Sequence, residues 1–342
     1  MRTKMQDQKL TRVALVGYGY WGPNLARNFY QLPGATLEYV VDRDVTARQR
    51  AERLYGCKTT DSTDEMLADV NVEAVVIATP ARTHYALAKR ALEAGKHVFV
   101  EKPLTMDVGE AEELVAMAAR LGRTLMVGHV FEYNPAVAYI KQAIDNGDLG
   151  DLYYLYSKRV NLGRVQSDVN VLWSIAPHDI SIALFLLGEM PKSVRCQGAR
   201  CLSDSVEDVV FLTMYFPKNI LCHVHASWLD PSKMREMTVV GSKKMIVYDD
   251  VSAEGKVRVY DKGAFRKGDV TYGDFQYKLH SGDILIPRLD MREPLQVECA
   301  HFIECIHSGK RPLTDGENGL RVLKVLAAGE KSLQNGGEEI VL

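Results

Sequence analysis

Gly17-Tyr18-Gly19-Tyr20-Trp21-Gly22 follows the apolar run Val13–Val16 and precedes a helical pattern with Pro23 near its first turn, where proline is tolerated. The glycine spacing fits three tasks: a tight turn at Gly17, close backbone approach to a pyrophosphate at Gly19, and helix–strand packing at Gly22. Amides at the start of the following helix would meet the phosphate charge. Asp42 stands at the end of the next strand pattern, where a carboxylate can accept hydrogen bonds from ribose hydroxyls, which favours NAD. Arg43 beside it could hold a 2′-phosphate, so NADP stays open. Strand, turn, helix, strand and acid in this order predict a dinucleotide site of Gly17, Tyr18, Gly19, Tyr20, Trp21, Gly22, Asp42 and Arg43.

Outward from the turn, Leu37–Val41, Ala74–Ala78, His97–Val100 and Leu125–Val127 continue the series of short apolar runs, separated by amphipathic stretches such as Thr83–Glu93 and Val108–Leu121. Apolar strands joined by helix-length connections require a parallel sheet covered on both faces, so residues 1–128 are expected to form a doubly wound α/β domain. Thr79 and Pro80 end one of these strands at the carboxyl edge, where ligands of such sheets bind, and are expected to line the cofactor cleft. Beyond about Gly128 the pattern changes. Asp151–Val160 alternates, a helical segment runs around Ile175–Leu187, and strand patterns recur at Ser193–Gln197, Asp208–Phe216, Leu221–Trp228, Met237–Val240, Met245–Tyr248 and Val257–Tyr260. Hairpin-length breaks between them predict a predominantly antiparallel open sheet, making 129–342 an α+β domain for substrate binding and oligomerisation. Asp261–Met291 is polar and aperiodic and is expected to be a long loop or irregular arm. Two helical patterns, Pro294–His307 and Glu317–Leu333, close the chain.

The bulk properties narrow the class of partner. The chain has 342 residues with a formal net charge of -2, which offers no electrostatic footprint for nucleic acid or an anionic membrane. No apolar run approaches a membrane span, and the polar start lacks a signal-peptide core, so a cytoplasmic protein is expected. Six cysteines without a CxxC pair read as reduced structural thiols, with neither disulfides nor zinc. His223 and His225 share a strand face but lack an evident third ligand, so no metal site is expected. A small-molecule substrate is favoured.

The strand His97–Val100 runs into Glu101-Lys102-Pro103, which puts a lysine at the carboxyl edge of the cofactor sheet, within reach of a substrate beside the nicotinamide. Pro103 restricts Lys102 to extended conformations and could be cis. Taken in order, GYGYWG, Asp42, IATPARTHYALAKRALEAGKHVFVEKPL and GHVFEYNP resemble the glucose-fructose oxidoreductase / inositol dehydrogenase (Gfo/Idh/MocA) family over nearly the whole chain. The resemblance implies a Rossmann domain followed by the antiparallel domain. It also implies alcohol–ketone redox chemistry in which Lys102 contacts the reacting hydroxyl and His178, from the second domain, faces it. An imidazole titrating near neutral pH can take the hydroxyl proton while hydride leaves the carbon. Asp179 follows His178 and could instead cap the helix. Where the family often has an aspartate four residues before this histidine, the chain has Ser174, with Asp168 or Asp179 as substitutes. His84, Glu101 and Lys102 complete the candidate cofactor set.

Arg159-Val160-Asn161-Leu162-Gly163, with Asp168, Asn170 and Trp173, looks like the subset of the family acting on nucleotide-linked sugars. Arginine can fork a diphosphate or carboxylate, asparagine can pair with sugar hydroxyls, and tryptophan can cover a ring face. The bland alternative is a loop whose polar residues satisfy one another. The candidate substrate set is Lys102, Tyr133, Arg159, Asn161, Asp168, Asn170, Trp173, His178 and Asp179. The expected reaction is oxidation of a secondary hydroxyl, at C3, of a nucleotide-linked sugar, or the reverse. Alternatives are a free polyol such as inositol, or a silent NAD(H)-binding sensor. The broad sheet face of the second domain, with Trp228 and Tyr248 among candidates to cover it, predicts a homodimer or homotetramer.

Overall fold

The computed structural model describes residues 10–163, 165–166, 169–202, 204–266 and 277–342. By internal contact the chain divides into two compact units, Met1–Tyr133 with Arg292–Leu323, and Asn134–Met291 with Lys324–Leu342.

The first unit runs β1 (Thr11–Val16), α1 (Gly22–Gln31), β2 (Ala35–Val41), α2 (Val45–Tyr55), β3 (Lys58–Thr60), α3 (Thr63–Ala68), β4 (Ala74–Ile77), α4 (His84–Glu93), β5 (His97–Glu101), α5 (Val108–Leu121) and β6 (Leu125–Gly128). The six strands form one sheet in the order β3-β2-β1-β4-β5-β6. Every pairing in it is parallel. The apolar runs are explained by burial on both faces, since all four residues of β4 and of β6 are buried. Local chemistry sets the helix ends. Asp44 caps α2 by accepting from the Thr46 amide, and Asp107 caps α5 by accepting from the Glu110 amide. The strand order reverses between β1 and β4, which places the ligand crevice of such a sheet at their carboxyl ends.

The second unit contains α6 (Pro135–Asp145), β7 (Leu152–Val160), α7 (Val171–Ser174), α8 (Pro177–Leu187), β8 (Ser193–Ala199), β9 (Val209–Tyr215), β10 (Leu221–Ser227), β11 (Met234–Gly241), β12 (Met245–Asp249), β13 (Val257–Arg266) and β14 (Tyr277–Leu285). After these come α9 (Pro294–Ser308), α10 (Gly316–Gln334) and β15 (Ile340–Val341). The second sheet has nine strands ordered β14-β13-β12-β11-β7-β10-β9-β8-β15. Among the described residues of this sheet, β7 and β10 pair in parallel and the other pairings are antiparallel.

Two expectations are corrected. Within the segment read as an irregular arm, the described residues include the second half of β13 and all of β14, paired antiparallel with Gly263 opposite His280 and Phe265 opposite Lys278; residues 267–276 of that segment lie outside the described residues. Eight of the nine residues of β14 are exposed, so no buried face imposes an alternation by which to recognise the strand. Trp228 and Tyr248 do not lie on the open sheet face: they are 2% and 1% exposed, inside the core. The open face instead carries Tyr154, Tyr156 and Phe211, each about two-fifths exposed, beside His223 and His225.

Residues 292–323 pack with the first unit although they follow the second sheet in sequence. The cause is the apolar stripe of α9. Phe302 is fully buried and meets Phe29 and Phe99 edge-on at 6.3 and 5.7 Å between ring centroids, and Leu295, Cys299 and Ile303 join the same cluster.

Candidate active site

The glycine turn links β1 to α1, and each glycine meets a different constraint. Gly17 has φ of +96°, and a Cβ there would lie 2.7 Å from the Ala78 carbonyl oxygen at the end of β4. At Gly22 a Cβ would fall 2.2 Å from the Gly17 oxygen. At Gly19 a Cβ would meet nothing within 4 Å. Two of the three glycines are thus demanded by the protein's own packing, whereas the third faces open space, as a backbone that a pyrophosphate must approach would do. The first turn of α1 has no side-chain cap, which leaves its amides for an anion.

Asp42 is held at the end of β2. Its Oδ2 accepts from the Tyr18 amide at 2.6 Å and its Oδ1 from the Asp44 amide at 2.9 Å. The carboxylate therefore clamps the glycine turn while retaining acceptor capacity for ribose hydroxyls. Arg43 is exposed beside it, and Tyr20 projects into solvent at 89% exposure. These residues fit a dinucleotide. They would hold pyrophosphate at Gly19 and the start of α1, and ribose at Asp42.

Along the same carboxyl edge, Thr79 and Pro80 follow β4, and Glu101-Lys102-Pro103 closes β5 with a cis Lys102–Pro103 bond. His84 ties these two strand ends together. Its Nδ1 lies 2.7 Å from the Pro103 oxygen and its Nε2 2.9 Å from the Thr79 oxygen, with the ring 1% exposed. Both ring nitrogens face backbone oxygens, so His84 holds the ends of β4 and β5 together. Tyr133 is also turned inward: its hydroxyl pairs with Thr314 at 3.1 Å and its ring packs on His301. Lys102 is half-buried at the edge.

Next to this edge is an acidic interior that the pattern reading passed over. Burial pushes the Glu101 carboxyl up to about 7 and Glu132 up to about 8. Glu298 on α9 is fully buried, and neither of its carboxyl oxygens has a hydrogen-bond partner. Burial first, then the nearby Glu101 and Glu132, holds it far above the usual carboxylate range. The signal was present in the sequence, because Glu298 interrupts the stripe Leu295, Cys299, Phe302 at the spacing of the buried face. His129, which follows β6, is also buried with both ring nitrogens unpartnered, and burial pushes it down to about 3.

In the second unit His178 is the second residue of α8 and half-buried. Asp179 does not cap the helix. It forms a buried ion pair with Arg159 of β7, Nε to Oδ2 at 2.5 Å. The Arg159 fork is thereby turned to a carboxylate of the protein itself. Asn170 caps α7 by accepting from the Trp173 amide and donates to Glu330 at 2.9 Å, and the Trp173 indole N–H donates to the same carboxylate at 3.1 Å. Ser174 accepts from the Gln166 amide at 3.1 Å. Asn161 follows β7 with its backbone amide on the Ser227 oxygen. Asp168 lies outside the described residues. The polar side chains of this stretch, Asn161 aside, thus pair chiefly with one another and with Glu330.

Residues 11–129 match the oxidoreductase family with the NAD-binding Rossmann fold, GFO_IDH_MocA, and residues 137–247 match the GFO/IDH/MocA C-terminal domain. The chain belongs to the Gfo/Idh/MocA family. It is an NAD-dependent oxidoreductase of the kind that acts on sugar hydroxyls. UDP-N-acetylglucosamine 3-dehydrogenase of Acidithiobacillus ferrooxidans is 28% identical over 91% of this chain and 94% of its own. The solved structure of that enzyme has a TM-score of 0.80 at 26% identity, covering 95% of this chain and 98% of the other. The scyllo-inositol 2-dehydrogenase (NAD(+)) of Bacillus subtilis is 28% identical over 95% and 94% of the two chains. The WlbA dehydrogenase of Bordetella pertussis, solved with NADH and UDP-GlcNAcA, shares the Gfo/Idh/MocA fold with a TM-score of 0.80 at 22% identity over 98% of this chain and 99% of that one. No helix among the described residues is long and apolar enough to cross a membrane.

Proposed function

We propose that the protein oxidises the C3 hydroxyl of a nucleotide-linked sugar, or reduces the matching 3-keto sugar, with Lys102 and His178 as the proton-handling pair. The observation that carries the reading is the full-length similarity to UDP-N-acetylglucosamine 3-dehydrogenase, combined with a lysine at the carboxyl end of β5 and a histidine in the first turn of α8. Bound NAD supplies the two-electron acceptor. Lys102, as an ammonium, stabilises negative charge developing on the reacting oxygen, and the His178 imidazole takes the hydroxyl proton. Ser174 can hold no charge, so Asp179 and Arg159, which fix the start of α8, take over the orienting part. The expected setting is the cytoplasm, where the six free cysteines stay reduced. The open sheet face with Tyr154, Tyr156 and Phe211 is closed by a second copy in a homodimer or homotetramer.

A second reading, oxidation of a free polyol, is favoured by two facts. The inositol dehydrogenase is as similar as the sugar-nucleotide enzyme, and the Arg159–Trp173 side chains pair mostly within the protein. NADH formation with UDP-N-acetylglucosamine, free N-acetylglucosamine and scyllo-inositol decides between them. The sugar-nucleotide reading requires turnover of the UDP derivative alone, and equal rates on a free sugar or polyol would replace it with the second.

A further inference from the structure

The open face of the second sheet carries a strip of rings at its centre. On β10, His223 lies opposite Tyr156 of β7 and Thr213 of β9, and His225 lies opposite Lys158 and Phe211. Phe211 stacks on both imidazoles, with centroids 4.5 Å from His225 and 6.0 Å from His223 and ring planes 20° and 18° apart. Tyr154 and Tyr156 stack on each other at 6.2 Å beside them. The Thr213 hydroxyl holds Nδ1 of His223 at 2.9 Å. Phe211, Tyr154 and Tyr156 stay about two-fifths exposed and both histidines are half-buried, so the strip is packed from within and open from above.

Among the described residues, the charged groups around the strip stand at its margins. Lys158 is opposite Glu236 of β11, Asp230 follows β10, and Arg195 of β8, opposite Thr213, is engaged by Glu339. Burial first holds both imidazoles below their ordinary value. At His225 the Asp230 carboxylate pulls the other way, while Lys158 and His223 add to the fall. At neutral pH the strip is therefore aromatic and uncharged inside a charged margin, which is the anatomy of a protein interface. A two-fold axis through such a face sets each side chain near it against its own counterpart, which neutral rings tolerate and cations do not.

We propose that this strip is a pH-gated contact between two copies of the chain, assembled while His223 and His225 are neutral and released when they take up protons. The inference rests on the reading of this face as the contact between copies. A second copy over the strip removes the water that hydrates an imidazolium and sets the cations of one strip against those of the other, so protonation is harder in the assembly than in the free chain. Free copies then bind more protons than the assembly as pH falls, and association weakens in the same direction. Each proton linked to release changes the dissociation constant by up to about tenfold per pH unit, and each copy supplies both histidines.

Sedimentation velocity of the full chain, with circular dichroism on the same samples, tests this. The mass at pH 7.5 should be that of a dimer or tetramer. At pH 5.5 it should halve with the dichroism unchanged, the dissociation constant having risen about a hundredfold. His223→Gln/His225→Gln, with no proton to take up there, should keep the full mass at both values. His225→Arg carries a permanent charge and should have the half mass already at pH 7.5, a result that decides the question if the parent or the double variant unfolds in acid. A folded parent of full mass at pH 5.5, a double variant that dissociates as the parent does, or a full-mass His225→Arg overturns the gate. A parent that is monomeric at pH 7.5 overturns instead the reading of this face as a contact between copies.

Discussion

Arg159 and Asp179 form a buried ion pair, 2.5 Å from Nε to Oδ2, with the two side chains 8% and 3% exposed. It joins the end of β7 to the first turn of α8, the turn that carries His178, and the carboxylate also suits the positive end of the helix. Removing one partner strands a charge in the interior, which costs about 3–5 kcal/mol, whereas replacing both with apolar residues costs far less. Asp179→Leu should therefore lower the urea unfolding free energy by about 3 kcal/mol, and the double variant Arg159→Met/Asp179→Leu should recover most of it. Equal losses in the single and double variants would refute the pair's role.

The glycine turn separates folding from binding. Gly22→Ala puts a methyl group 2.2 Å from the Gly17 oxygen and should destabilise the first unit by about 2 kcal/mol or more. Gly19→Ala meets no protein atom and should melt within about 2 °C of the parent, yet lose about a hundredfold in NAD affinity as the methyl group collides with the pyrophosphate. Thermal melts with and without NAD check both. Unchanged NAD affinity in Gly19→Ala would move the phosphates away from this turn.

The first unit was legible because most of its strands carry apolar runs and its first turn carries glycine at a fixed spacing. Short β3, three polar residues at Lys58–Thr60, left no such mark. The pairing of β13 with β14 escaped for a related reason, β14 having no buried face to pattern it. At the site, types and positions along the chain pointed to Lys102, His178 and Asp42. Partners did not emerge, since Glu330 lies 160 positions from Asn170 and nothing local marks the contact. Arg159 illustrates the consequence: a guanidinium read as ready for phosphate is turned to Asp179.

Lys102→Ala and His178→Ala should each lower turnover by about 10²–10⁴ while leaving the NAD dissociation constant within a few-fold of the parent. In the proposed reaction the two residues would handle the proton and the developing oxygen charge, whereas affinity is expected from the glycine turn, open at Gly19, and from Asp42. Steady-state rates together with fluorescence titration of NADH separate these terms. Parent-like turnover in Lys102→Ala would remove the lysine from the mechanism.

His129 sets a limit on the acid side. Burial pushes its imidazole down to about 3, with Lys102 adding repulsion, against an unfolded value near 6.5. Between those values the unfolded chain binds one more proton than the folded one, so stability rises with pH there and is lost as pH falls below about 6.5. The loss is about 1.4 kcal/mol per pH unit from this residue alone. Buried His84 is displaced in the same direction, by burial first, and steepens the slope. His129→Gln, with no proton to gain in the unfolded state, should flatten the fall in urea midpoint between pH 6 and pH 4. A variant curve parallel to that of the parent would show that His129 already carries its proton in the fold.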